Sequence, residues 1–287
     1  MSAIQDLRER FARATVAGDE AGLAPGALVV ARIGHPELAP EPSLAALDAL
    51  ADGVRPHLLA SDPPERRAAV LARYLFEERG FHGNSDDYYD PRNSFLNDVL
   101  ERRTGIPIAL AVVMIEIGAR VGVRLEGVGF PGHFLVRVSG CRDDHLLDPF
   151  FGGRAIGYDE LRERLRAFYA ASDAPSGGNL QRALPQALQA AGTLEILRRM
   201  LANLLAIYRT RDAHDQALAT VELLLLLCPD APEYLRLRGL LYEQLECFAS
   251  ALADFRRYLA LAPGAATAAE IRIHLERLAR VADTTLH

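Results

Sequence analysis

Apolar residues recur every three or four positions through most of the first 105 residues, which predicts a series of amphipathic helices. The predicted helices span 4–16, 27–38, 43–58, 63–80 and 93–105. Ser43 is expected to cap the third helix, because a serine side chain accepts a hydrogen bond from the first turn. Gly80 and Gly105 are expected to end the fourth and the fifth.

The most hydrophobic helix is predicted over 106–123, "IPIALAVVMIEIGARVGV". Pro107 stands in its first turn, where the missing N–H of proline would be unpaired in any case, and Gly122 is expected at its C-terminal end. Only Glu116 and Arg120 interrupt the apolar surface, and their spacing of four allows them to pair on one face. This helix is therefore expected to be buried.

After residue 124 the period changes to two, which predicts strands. Alternating segments over 124–138, a polar turn over 139–144 and a returning apolar segment over 145–150 predict an antiparallel hairpin. Leu135 and Arg137 are expected on the opposite face of their strand from Phe134, Val136 and Val138. Helices and hairpin together predict the α+β class for residues 1–171.

The segment that follows the predicted helix 159–171 is rich in Gly, Pro and Ser, which predicts a linker over 172–190. Only helices follow, and they repeat with a period of 34 residues. Residues separated by this period are Tyr208 and Tyr242, Ala217 and Ala251, and Pro229 and Pro263. This period is the tetratricopeptide repeat signature, so five helices are predicted over 191–287, the last as a cap.

Composition excludes some functions. The net charge of −6 argues against a nucleic-acid or membrane-surface partner, which would need a basic face. The chain has no lysine, hence no lysine nucleophile. Its three cysteines have no zinc-site spacing, and we expect no metal or cofactor. The charged N-terminus does not resemble a signal peptide, and the apolar run 106–115 is too short to cross a bilayer, so we expect a soluble cytoplasmic protein.

Two residues suggest chemistry. His133 opens one predicted strand and Asp148 ends the next, after a buried helix. In papain-like and transglutaminase sites a cysteine at the start of such a helix is deprotonated by a histidine that an aspartate orients. We therefore expect His133 and Asp148 to be hydrogen-bonded across adjacent antiparallel strands, at the end of the helix where Pro107 stands.

Residues 83–153, from "GNSDDYYDPRNSF" to "LLDPFFGG", resemble the transglutaminase-like domain of the SirB-type bacterial family, whose members commonly carry C-terminal tetratricopeptide repeats. The resemblance extends over about 25–285. It implies a transglutaminase/papain-like core, with a central helix against a small antiparallel sheet, followed by an all-α repeat module. In active members the helix starts with a cysteine two residues after a glycine. Here the resemblance places Pro107 at that position, after Gly105.

The sequence therefore leaves open which residue would serve as the nucleophile. Ser94 is a hydroxyl candidate, although a simple N-cap role for Asn93 or Ser94 is favoured. Cys141 lies in the hairpin turn, which points away from the base of the strand. Without a thiol, a His133–Asp148 pair that only fixes two strands is favoured over catalysis.

Asn93, Arg103 and Tyr89 are the expected cleft-lining residues. The acidic and aromatic loop 86–90 offers a site for a cation or a basic peptide, or forms a solvated turn with its tyrosines packed beneath. A metal site built from this loop, His133 and Asp148 is disfavoured, because only two plausible ligands converge.

We expect a non-catalytic transglutaminase-like protein that binds a protein or peptide through its repeats or its cleft, as a cytoplasmic regulatory module. The alternative is an amide hydrolase or acyl transferase that uses His133 and Asp148 with Ser94 or water as the nucleophile. The deciding observation is whether another oxygen or sulfur side chain lies within hydrogen-bond reach of His133.

Overall fold

The computed structural model describes residues 3–20, 22–171 and 180–285, which form thirteen α-helices and seven short strands. The helices are α1 (Ala3–Thr15), α2 (Leu23–Ala31), α3 (Glu41–Val54), α4 (Pro64–Arg73), α5 (Leu96–Arg102), α6 (Pro107–Val121), α7 (Tyr158–Ala171), α8 (Leu180–Ala187), α9 (Thr193–Thr210), α10 (His214–Leu227), α11 (Pro232–Gln244), α12 (Phe248–Leu261) and α13 (Ala268–Thr285). The strands are β1 (His82–Gly83), β2 (Thr104–Gly105), β3 (Leu125–Val128), β4 (Leu135–Val138), β5 (His145–Asp148), β6 (Arg154–Ile156) and β7 (Ala190–Ala191). None of the described helices is both long and apolar enough to cross a bilayer.

The chain divides into two compact units. One comprises residues 14–200, and the other comprises 1–13 together with 201–287. The α+β class predicted from the sequence is confirmed: a small antiparallel sheet lies in the first unit, and the second is helical. The division differs from the predicted boundaries, because the first thirteen residues group with the C-terminal repeats.

The main sheet has the strand order β6-β5-β4-β3-β7, with every neighbouring pair antiparallel. The predicted hairpin is present, and Val136 of β4 lies between Gly127 of β3 and Leu147 of β5. Strands β1 and β2 form a separate parallel pair just before α6. The sheet therefore brings the ends of β4 and β5 together beside the elements that surround α6.

Both faces of the main sheet are covered by helices. Leu135 is fully buried, in a cluster that also includes Leu161 and Leu165 of α7 and Leu188 after α8. On the other face, α6 packs against β3 and β4. Because helices cover both faces, successive residues of β4 are buried, as in strands of enclosed sheets.

Helix α6 is the buried centre of this unit, as predicted. Pro107 is its first residue, and Gly122 ends it in the left-handed conformation with φ of 70°. Glu116 is buried, pairs with Arg120, and accepts a hydrogen bond from the backbone N–H of Ala24 at 2.7 Å. The one carboxylate in the helix is thus compensated by a cation and a backbone donor, as burial requires.

Two predicted helix ends are wrong by a few residues. Helix α3 begins at Glu41, so Ser43 lies inside its first turn and is not its cap. Helix α5 ends at Arg102, and the next residue, Arg103, caps it in the left-handed conformation with φ of 59°, whereas Gly105 belongs to β2. Arginine thus holds a conformation that usually favours glycine.

The predicted linker over 172–190 is wrong where the structure describes it. Residues 180–187 form α8, Leu184 and Leu188 join the buried cluster beside α7, and β7 begins at Ala190. Residues 172–179 lie outside the described part of the chain. Leu184 and Leu188 are four residues apart, a helical spacing that the Gly, Pro and Ser content of the segment obscures.

Helices α9 to α13 are the five helices predicted for the repeats, and α10 to α13 pack on one another in sequence order. Gly239 lies against the ring of Phe255, where an added Cβ would come within 2.5 Å of the ring. A small residue is therefore required at this contact, which is the reason for the repeat's glycine position. Buried charges within this unit are paired, as Arg238 with Asp254 at 2.7 Å.

Candidate functional site

His133 and Asp148 are joined by a hydrogen bond of 2.8 Å between Nε2 and Oδ1. His133 lies two residues before β4, and Asp148 is the last residue of β5, so antiparallel pairing brings them together. The histidine side chain is 12% exposed and the aspartate is fully buried. The expected contact is present, with the histidine accessible and the carboxylate enclosed behind it.

Three groups hold Asp148. Besides His133, Arg164 of α7 donates to Oδ2 at 2.9 Å, and the backbone N–H of Phe150 donates to Oδ1 at 3.2 Å. Burial alone would raise the pKa of Asp148, but the hydrogen bonds and positive charges of His133 and Arg164 outweigh it and lower that pKa. Asp148 is therefore an ionised acceptor that fixes the orientation of the His133 ring.

Arg164 is itself held in place. It donates to Glu160 at 2.7 Å, one helical turn earlier, and its guanidinium lies over the Phe151 ring, 5.4 Å from the ring centre. Hydrogen bonds from Arg154 and Arg164 lower the pKa of Glu160 to about 2. Asp148 is thus supported by side chains of alternating charge, namely Arg164 and Glu160 on α7 and Arg154 on β6.

A cluster of aromatic rings surrounds the histidine. Phe150 meets His133 edge-on and Phe151 lies nearly parallel to it, with ring centres 6.2 and 6.1 Å away. Tyr88 contacts Phe150, and Tyr89 contacts Tyr88. Phe151 is 53% exposed and Tyr89 is 66% exposed. We call these four residues and His133 the aromatic cluster.

Two of the three predicted cleft residues, Asn93 and Arg103, hydrogen-bond other parts of the fold and not the His133 ring. Asn93 is fully buried, and its amide donates to the carbonyl of Asp87 at 2.7 Å and accepts from Asn84 at 3.1 Å. Arg103 donates to the carbonyl of Arg79 at 2.6 Å and lies over the Phe81 ring. Only Tyr89 has its side chain in the cluster around His133. Asn93 instead shapes the loop that carries Tyr88 and Tyr89.

Ser94 lies in neither of its expected environments. Helix α5 begins at Leu96 with Phe95 at the N-cap, so Ser94 does not cap it. Its side chain is fully buried, and its hydroxyl has no hydrogen-bond partner among the described residues. His133 bonds Asp148, and within the described ranges no other side chain hydrogen-bonds its ring. A substrate would have no access to the Ser94 hydroxyl.

The start of α6 is also closed. Pro107 is buried, and the turn Pro149–Phe151 that follows Asp148 contacts both α6 and β1. Strand β1 pairs with β2 immediately before α6. The turn that carries Phe150 and Phe151 therefore lies against the elements around Pro107, the position at which the family resemblance leads us to expect a cysteine.

The three cysteines are all free and lie elsewhere in the fold. Cys141 is in the hairpin turn, with its thiol 3.6 Å from a carboxylate oxygen of Glu65. Burial and this carboxylate raise the pKa of Cys141, which disfavours the reactive thiolate. Within the described residues, no group of three potential ligands could hold a metal ion.

Sequence reasoning missed Arg164, Phe150 and Phe151. The aromatic pair follows Asp148 after a single proline in "DPFF", so its proximity to the histidine could have been inferred from the hairpin. Arg164 had no such signal, because its role depends on how α7 packs against β5. A second pair was also missed: His35 Nε2 lies 2.8 Å from Asp98 Oδ2.

Comparison with known proteins agrees with this architecture. Residues 41–202, more than half of the chain, match the family model described as "Transglutaminase-like superfamily", and residues 204–276 match "Tetratricopeptide repeat". A UPF0162 protein of Xylella fastidiosa is 46% identical over 209 residues, 73% of each chain. A UPF0162 protein of Vibrio cholerae is 28% identical over 94% of this chain and 97% of its own length.

A further similarity is to an animal protein. F-box only protein 21 of Homo sapiens is 31% identical over 175 residues, 60% of this chain and 27% of that protein. The similar region is thus a part of a much longer protein there. The chain belongs to the transglutaminase-like superfamily and, within it, to the UPF0162 proteins that carry a C-terminal tetratricopeptide module.

Proposed function

We propose that this chain is a non-catalytic, cytoplasmic regulatory protein that binds a protein or peptide through the aromatic cluster, through its repeats, or through both. The observation that carries the proposal is the aromatic cluster itself. Exposed, contiguous aromatic side chains are enriched where proteins bind one another, because they bury a large area with few rotatable bonds.

Among the described residues, no side chain is placed as a suitable nucleophile, which supports binding over chemistry. Pro107 takes the position where the family resemblance expects a cysteine, Ser94 is buried, and Cys141 has a raised pKa. What persists is a histidine held rigidly by Asp148 and exposed at one edge. Such a residue can donate to or accept from a peptide backbone, while the rings beside it contact side chains.

The repeats provide independent support. Tetratricopeptide arrays form concave surfaces, and those surfaces commonly bind peptides. A protein with both modules can engage one partner at two places, which raises the apparent affinity when both sites are reached together. The identity of the partner is not implied by either module.

A selection experiment tests this proposal. A phage library of linear dodecapeptides would be selected against the full chain, and the enriched peptides titrated by fluorescence polarisation. For peptides that use the aromatic cluster, Phe151→Ala and Tyr89→Ala should each weaken binding by about tenfold, since truncated aromatic residues at interfaces typically cost 1–2 kcal/mol or more. Peptides insensitive to both variants would be mapped on the repeats.

Leu59→Ala is the matched control, because Leu59 is 58% exposed in the same unit and lies outside the aromatic cluster. It should leave every affinity unchanged. Failure to enrich any peptide, or equal losses from Leu59→Ala and Phe151→Ala, would contradict the proposal.

The rival function is an amide hydrolase or acyl transferase, and the His133–Asp148 hydrogen bond is the observation in its favour. With Ser94 enclosed, water is the remaining nucleophile, with His133 as its general base. Turnover of glutamine-containing peptides that disappears in His133→Ala would establish the enzyme. Peptide binding without any turnover supports the binding module.

A further inference from the structure

A second concave site lies between α7, α8 and the β4–β5 hairpin, away from the aromatic cluster. It encloses about 580 Å³, within the range of roughly 300–1,000 Å³ that is typical of small-molecule sites. All of its lining residues belong to the unit 14–200. We call it the arginine pocket.

Helix α7 separates the arginine pocket from the His133 site. Tyr158, Arg162 and Arg166 follow one another at intervals of four residues and line the pocket. Glu160 and Arg164 lie on a different face, which supports Asp148. The pocket therefore uses side chains that the His133 site does not.

The pocket lining is positively charged in an acidic chain. It contains three arginines, Arg137, Arg162 and Arg166, and one aspartate, Asp144, which gives a formal charge of +2. The whole chain has a net charge of −6. Glu126 and Asp159, which pair with Arg137 and Arg162, lie outside the lining. The lining that would face an occupant is therefore positively charged, which favours anions over cations.

The one acidic group is already engaged, whereas two of the arginines are available. Asp144 lies 3.2 Å from Arg137 Nε and accepts a hydrogen bond from the Tyr158 hydroxyl at 2.7 Å. Arg166 has no ion-pair or hydrogen-bond partner among the described residues. In the described part of the chain Arg162 pairs with Asp159 alone, and that pair is exposed, so it is weak and easily exchanged for a ligand.

The three remaining lining residues form an apolar wall. Leu184, Pro185 and Leu188 contribute it from α8 and the residue after it, and both leucines are part of the buried cluster. An inorganic ion would leave the exposed part of this wall, mainly Pro185, in contact with water, whereas a hydrocarbon chain would cover it. The lining therefore matches a molecule with an anionic head and an apolar body.

We propose that the arginine pocket binds a small amphipathic organic anion, with the head group held by Arg162 and Arg166 and the hydrocarbon part against Leu184, Pro185 and Leu188. Guanidinium groups pair with both carboxylate and phosphate in a two-pronged manner. The head group is therefore one of these two anions.

Calorimetric titration of the full chain with hexanoate, hexyl phosphate and hexanamide tests the proposal. The three probes share a six-carbon chain, and the amide is neutral. At least one anion should bind about tenfold or more tightly than hexanamide, and Arg166→Gln should remove about tenfold of that affinity. The tighter of the two anions identifies the head group. Butyrate should bind more weakly than hexanoate, because it covers less of the apolar wall.

Arg256→Gln is the matched control, since it removes the same charge from α12, outside the pocket lining. It should leave the affinity unchanged. Arg166 is exposed, so its substitution should not unfold the chain, and a circular dichroism spectrum checks this. Absence of binding by both anions, equal binding of hexanamide, or equal losses in the Arg166 and Arg256 variants would overturn the proposal.

Discussion

The unit 14–200 contains two histidine–aspartate pairs with the same separation of 2.8 Å, and they differ in everything around them. Asp148 is fully buried and receives two further donors, whereas Asp98 is 9% exposed and receives one hydrogen bond from its neighbour Asn97, at 3.1 Å. His133 belongs to a cluster of rings. His35 is 38% exposed and meets the single ring of Phe95.

The comparison teaches that a short histidine–aspartate distance does not by itself mark a functional site. The His133 pair differs because other elements of the fold contact it. Helix α7 supplies Arg164, and the turn after β5 supplies a backbone N–H and two rings. The His35 pair joins the segment after α2 to α5. We infer that it has the simpler role of fastening two elements together.

The largest expected difference between the pairs is in stability. Asp148→Ala should lower the free energy of unfolding by about 3 kcal/mol, because it leaves Arg164 and the largely buried His133 without their acceptor. Asp98→Ala should cost about 1 kcal/mol, because the half-exposed His35 recovers hydrogen bonds to water. Urea unfolding followed by circular dichroism measures both. Equal losses would remove the distinction between the pairs.

The supporting residues should differ in the same direction. Arg164→Gln should cost about 1–2 kcal/mol in unfolding free energy, since it breaks a charged hydrogen bond to a buried carboxylate. Asn97→Ala should change stability by less than about 0.5 kcal/mol, because its amide oxygen is already buried without a partner and its loss offsets that of the amide donor. An unchanged unfolding free energy in Arg164→Gln would show that Arg164 does not contribute to the stability of the buried pair.

The pH dependence sharpens the description of the buried pair. Because the pKa of Asp148 is lowered in the folded chain, its ionised form stabilises the fold above its unfolded pKa of about 3.9. That contribution is lost as the pH falls through the folded pKa. The stability difference between the wild type and Asp148→Asn should therefore shrink as the pH is lowered from about 5 toward the folded pKa of Asp148. A stability difference that grows in acid would mean that the pKa of Asp148 is raised in the folded chain and not lowered.

The smallest effect concerns Ser94. Its hydroxyl is buried without a partner, so Ser94→Ala should leave the unfolding free energy within about 0.5 kcal/mol of the wild type or raise it slightly. If the protein has hydrolytic activity, its retention in Ser94→Ala would agree with a Ser94 side chain that is enclosed and takes no part in catalysis. A loss of more than about 1 kcal/mol would mean that the hydroxyl has a partner after all.

Much of the site could be predicted from the sequence because its parts are close together along the chain. A hairpin with a six-residue turn places the start of β4 beside the end of β5, so spacing alone brings His133 to Asp148. The burial of α6 could be read from its composition. In the repeats, the 34-residue period fixed both the helix count and the need for glycine at 239.

The rest depends on contacts between distant segments, which have no local signal. Asp98 is 63 residues from His35, and Arg164 reaches Asp148 only because α7 packs on the sheet. Strand β7 has two residues and exists because β3 offers it a free edge. Arg103 takes a left-handed conformation that sequence rules assign to glycine.

Helix α7 gives this unit a further property. It faces the His133 site with one row of side chains and the arginine pocket with another, and its leucines fix it to the core. Any occupant that shifts α7 toward or away from Asp148 alters the energy of the other site. Such coupling is reciprocal: if an anion changes the affinity for a peptide by some factor, the peptide changes the affinity for the anion by the same factor. If the anion and the peptide both bind as proposed, this helix makes the two sites a single thermodynamic system, in which each ligand reports on the other.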